Sequence, residues 1–80
     1  MRTTDLERTV NKLVGEDIKK HRTERHISLR KLGAMVGVTG QAIKYYEDGR
    51  TAITLQKFVQ IMTVLGQDPS QFVNNYYIQE

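Results

Sequence analysis

Gly40, Gln41, Lys44 and Tyr45 stand at a spacing that gathers them on one side of a short helix. A glutamine amide can pair with adenine through N6 and N7, a lysine can donate to guanine or to a phosphate, and a tyrosine ring can press on a thymine methyl. Glycine at the head of the helix permits close approach, with contact through its backbone alone. Plainer readings stand beside these: Gln41 and Lys44 as exposed polar residues, and Tyr45 as a ring lying on the surface. An amide, a cation and an aromatic on one outward face suit the reading of base edges in a major groove. Catalysis has less to draw on. The chain holds no phosphate-cradling glycine loop, no nucleophile with a paired histidine and no metal-ligand set, so no enzyme activity is expected. His21 and His26 are five residues apart and do not share a helical face. With no cysteine to join them, no metal and no other cofactor is expected.

The elements that must position those side chains are legible from apolar spacing. Leu29, Leu32 and Val36 recur at three- and four-residue intervals and mark one face of a helix opened by Ser28. Gly37 can take the left-handed conformation that stops it. Val38 fills the gap, and Thr39 caps a second helix from about Gly40 to Glu47, with Ile43 and Tyr46 turned inward. Upstream, Leu6, Val10, Leu13, Val14 and Ile18 form an apolar stripe that predicts one helix over about Asp5 to Arg25, opened by a Thr4–Glu7 capping box. Downstream, Thr54 caps a helix carrying Leu55, Phe58, Ile61, Met62 and Leu65, which Gly66 ends. Asp68-Pro69-Ser70-Gln71 opens a last helix with Phe72, Val73, Tyr76, Tyr77 and Ile78. The expected fold is all-α, with five helices in a single domain over residues 1–80.

Charge is distributed unevenly. The chain carries +3 overall, but between Ile18 and Arg50 eight Lys and Arg residues face three acids, a local excess of +5. That concentration around Gln41 and Lys44 suits a phosphate-binding face, though a solvated surface would look the same. No apolar run approaches the roughly 20 residues of a membrane span, the N-terminus lacks the apolar core of a signal peptide, and cysteine is absent. A cytoplasmic protein with no membrane association is the expectation.

Ser28-x3-Leu32-Gly33-x3-Gly37-Val38-Thr39-x3-Ile43-x2-Tyr46-Glu47-x-Gly49-Arg50 resembles the helix-turn-helix of Cro/cI-type repressors, also called the xenobiotic-response-element family. Gly15-Glu16-Asp17-Ile18-x3-Arg22 is similar to the family's first helix, and Ile53-Thr54-Leu55-x2-Phe58-x2-Ile61-x3-Leu65-Gly66 to its fourth. The likeness spans about Leu13 to Val73. It implies a five-helix, lambda-repressor-like DNA-binding domain with the helix-turn-helix at helices 2 and 3. It also implies that Arg22 pairs with Glu47 while offering guanidinium donors to a phosphate. Further phosphate contacts would come from Ser28, Leu29, Arg30, Thr39, Arg50 and Thr51. Leu29 departs from the family, which often has glutamine there, so only backbone N–H groups can serve at that position. Gly33 replaces a usual alanine, His21 a usual apolar residue and His26 a frequent glycine.

The functional expectation is a sequence-specific regulator of double-stranded DNA, a homodimer joined through Phe72, Val73, Tyr76 and Tyr77 on a palindromic operator, repressing its own promoter. Residues 1–12 would extend the first helix, either to complete the core or to join the dimer contact. Phage-type repressor, restriction–modification controller and antitoxin with a toxin partner all fit the pattern. So does an interaction module that keeps the helix-turn-helix shape without binding DNA.

Overall fold

The computed structural model describes residues 3–70. Among them the chain forms four helices and no strand: α1 (Thr3–Glu24), α2 (Leu29–Val36), α3 (Gly40–Glu47) and α4 (Leu55–Val64). Helices of eight residues, such as α2 and α3, are too short to persist alone in water. They are held by caps and by packing. Ser28, Thr39 and Thr54 have extended backbones, and their hydroxyls accept from the amides of Lys31, Ala42 and Lys57 at 3.0, 3.0 and 3.1 Å. Each bond satisfies one of the amides that a helix start leaves unpaired.

The core joins Val14 and Ile18 of α1, Leu32 and Val36 of α2, Ile43 of α3, Ile53 of the following loop, and Phe58, Ile61, Met62 and Leu65 at and beside α4. Full burial of each large apolar side chain stabilises the fold by roughly 1.5–3 kcal/mol. Tyr46 packs against this core from the inner side of α3.

Three expectations change. Helix α1 already includes Thr3, the first described residue, so Thr4 lies inside it and the Thr4–Glu7 capping box does not open it. The α1 stripe is only partly used: Val14 and Ile18 are buried and Val10 is half-buried, while Leu6 and Leu13 are 51% and 43% exposed. Leu6 and Leu13 sit roughly 110° around the helix from the buried pair, too far to reach the same core. Leu55, at the first position of α4, is likewise largely outside the core. The expected fifth helix, with the expected dimer residues Phe72, Val73, Tyr76 and Tyr77, lies outside the described residues, which end at Ser70.

Two glycines set the geometry around α3. Gly37, with φ of 77°, stands in the left-handed region where a side chain would be strained, and its amide bonds back to the Gly33 carbonyl. Gly15 lies where α1 crosses the end of α3. A Cβ there would fall on the Tyr46 carbonyl oxygen and lie 2.5 Å from that of Glu47. The two backbones approach this closely only because α1 carries no side chain at that point.

Candidate nucleic-acid interface

One tether closes the end of α2, and two others hold α3. At its C-terminal end, Arg22 of α1 reaches Glu47: Nε donates to Oε2 at 2.6 Å and Nη2 to Oε1 at 3.0 Å. Arg22 Nη1 also donates to the Ile27 carbonyl at 2.8 Å, so one guanidinium joins α1, the loop before α2 and the end of α3. Glu47 is only 7% exposed, and the two-pronged geometry supplies the donors that a buried carboxylate needs. At its N-terminal end, Gly40 packs against the first turn of α2, where an added Cβ would lie 3.0 Å from the Arg30 nitrogen. From beneath, α4 closes the end of α2: Lys57 Nζ donates to the Val36 carbonyl at 2.8 Å and to Gln60 Oε1 at 2.9 Å. A cation at a helix C-terminus also meets the negative end of the helix dipole.

With Ile43 and Tyr46 turned inward, the opposite side of α3 presents Gln41 and Lys44, both exposed, and the half-buried Tyr45. Gly40 is half-buried at the start of the helix, against α2. The Arg50 guanidinium lies over the Tyr45 ring, 4.7 Å from its centroid, which joins a base-reading candidate to a phosphate candidate. Lys44 Nζ lies 3.4 Å from Asp48 Oδ2.

Ser28, Arg30, Thr39 and Thr51 are exposed, and Arg22 is half-buried. Leu29 packs its side chain against the core, which leaves only backbone groups of α2's first turn available at that position. His26 takes a φ of 55°, the left-handed conformation that explains why the resembling family often has glycine there.

The sequence places Asp48 outward beyond Lys44 but gives it no role, and it gives Lys57 none. Asp48 continues the helical backbone one residue past α3, and seven residues after Gln41 it returns to the same outward face. The i,i+4 spacing of Lys44 and Asp48 was the available signal. Lys57 gave none, because its bond to Val36 depends on how α4 docks. Asp68 accepts from the Ser70 amide at 3.0 Å and from the Ser70 hydroxyl at 2.9 Å. These bonds, the amide's foremost, hold its carboxyl below the usual carboxylate range. Among the described residues no group of acidic, histidine or cysteine side chains could hold a metal, and no helix is long and apolar enough to cross a membrane.

Two short capped helices joined by a glycine turn, braced on two others and presenting a polar face beside clustered cations, define a DNA-binding helix-turn-helix domain. The family model described as Helix-turn-helix matches residues 18–72, and the chain belongs to that family, the Cro/cI-type, xenobiotic-response-element class of DNA-binding regulators. The match begins within α1, so the first turns of that helix precede it. No curated protein and no solved structure matches the chain.

Proposed function

We propose that the protein is a dimeric repressor that binds a palindromic operator in double-stranded DNA and blocks transcription by occupying its own promoter. Helix α3 enters the major groove, where Gln41 pairs with adenine, Lys44 donates to guanine, Tyr45 meets a thymine methyl and Gly40 approaches through its backbone. Ser28, Arg30, Thr39, Arg50 and Thr51 contact phosphates, together with the backbone at Leu29 and the N–H groups of Arg22 that Glu47 and Ile27 do not use. Phe72, Val73, Tyr76 and Tyr77 form the twofold contact, which sets the two α3 helices about 34 Å apart, one turn of DNA.

The observation that carries this reading is the exposure of Gln41 and Lys44 on a helix whose other side is tied down by the Arg22–Glu47 pair. The test is selection of binding sites from a random-sequence duplex pool with the full chain, followed by titration at several salt concentrations. An enriched two-fold symmetric site, with affinity falling steeply as salt rises, is expected. Gln41→Ala should relax the preference at one adenine in each half-site. Binding that ignores sequence, or no binding to duplex DNA, would overturn the reading.

A further inference from the structure

An acidic side chain on a DNA-facing helix is repelled by phosphates, and Asp48 stands on the outward side one residue past the C-terminal end of α3. It lies on the side that carries Gln41, with Lys44 between them on an adjoining line. Its carboxylate is 3.4 Å from the Lys44 ammonium, and both groups are substantially exposed. An exposed ion pair of this kind adds little to stability. What it does provide is a donor and an acceptor held side by side on the face proposed to read bases.

We propose that Lys44 and Asp48 act as one unit that reads a single G·C base pair, with Asp48 as the specificity-determining partner. In the major groove guanine presents two acceptors, N7 and O6, and cytosine presents the N4 amino donor beside them. O6 and N4 are hydrogen-bonded to each other across the pair, so they lie about 2.9 Å apart. A donor and an acceptor 3.4 Å apart match that spacing. Lys44 donates to guanine O6 and N7, and Asp48 accepts from cytosine N4. The reversed C·G pair puts the amino group before the ammonium and the keto oxygen before the carboxylate, so both contacts become repulsive. A T·A pair offers O4 and N6 in the same order but replaces the N7 acceptor with a methyl group, which the ammonium cannot use. The contact with the amino group offsets the electrostatic cost of an acid near the phosphates, and it does so only at the correct pair.

This inference rests on α3 entering the major groove as proposed above. Its test uses the full chain, with site selection and competition titrations on wild type, Asp48→Ala, Lys44→Ala and the double variant. Thermal melting confirms that each variant is folded, as expected for exposed positions. Wild type is expected to select one G·C pair per half-site, and inverting that pair should weaken binding about tenfold or more. Both single variants should lose discrimination at that one position and keep it elsewhere. The double variant should lose no more there than either single one. A wild-type site with no sequence preference anywhere defeats the reading of α3 itself. A clear wild-type site whose preferences survive Asp48→Ala, or single variants that relax different positions, or selection of T·A there, overturns the Lys44–Asp48 assignment alone.

Discussion

Replacing Arg22 with methionine removes three hydrogen bonds at once: two to Glu47 and one to the Ile27 carbonyl. The arginine and glutamate side chains are 12% and 4% exposed, so water cannot readily replace the lost donors. A buried carboxylate left without its partner costs about 3–5 kcal/mol. The residual exposure of Arg22 places the expected loss near the lower end, about 3 kcal/mol. In a domain of this size each kcal/mol moves the melting midpoint by about 4–8 °C, so a drop of at least about 12 °C is expected. A second replacement discriminates between loss of the pair and loss of packing. Arg22→Met with Glu47→Leu removes both charges, and an apolar pair of similar volume is often neutral or stabilising relative to a buried ion pair. The double variant should therefore melt well above the single one, and thermal or urea unfolding reads both. A single-variant loss below about 1 kcal/mol, or a double variant no more stable than the single, would refute the assignment of Arg22 and Glu47 as the tie between α1 and α3.

Gly15→Ala should destabilise the protein by up to about 2 kcal/mol, because the obstruction is backbone carbonyl that cannot rotate away, and an overpacking cost of up to about 3 kcal/mol against Tyr46 and Glu47 outweighs a helix-propensity gain of about 1 kcal/mol. A raised melting midpoint would show that α1 and α3 are not in backbone contact. His26→Gly should stabilise by about 0.5–1 kcal/mol, since relief of the left-handed strain exceeds the entropy that glycine loses on folding. Equal or lower stability in urea unfolding would count against that strain. Asp68 has a folded-state pKa below its ordinary value, so its contribution is present above the ordinary carboxylate range and is lost as pH falls through the lowered value. Carboxyl titration by NMR should give Asp68 a midpoint below that of an unstructured aspartate, and Ser70→Ala should raise it by removing the hydroxyl donor while the amide donor remains.

The sequence by itself determined the local grammar of this protein. Ser28, Thr39 and Thr54 cap where side-chain chemistry says they should, Gly37 turns where only glycine turns freely, and α3 runs from Gly40 to Glu47 as its apolar spacing requires. Those features depend on residues within one or two turns of each other, so the chain order contains them. The outward placement of Gln41 and Lys44 follows from the same periodicity once Ile43 is known to face the core. The pairing of Arg22 with Glu47, 25 residues apart, was anticipated through family resemblance. Tertiary structure alone decided the rest. Leu6 and Leu13 look like core residues by spacing, yet the core lies on another side of α1. Gly15, a residue of low helix propensity, is the place where two backbones meet. Lys57, which no local spacing singles out, closes the end of α2. In each case the outcome depends on which side of one helix another helix occupies, and that is fixed by the joint packing of all four around one core, a condition no short stretch of sequence contains.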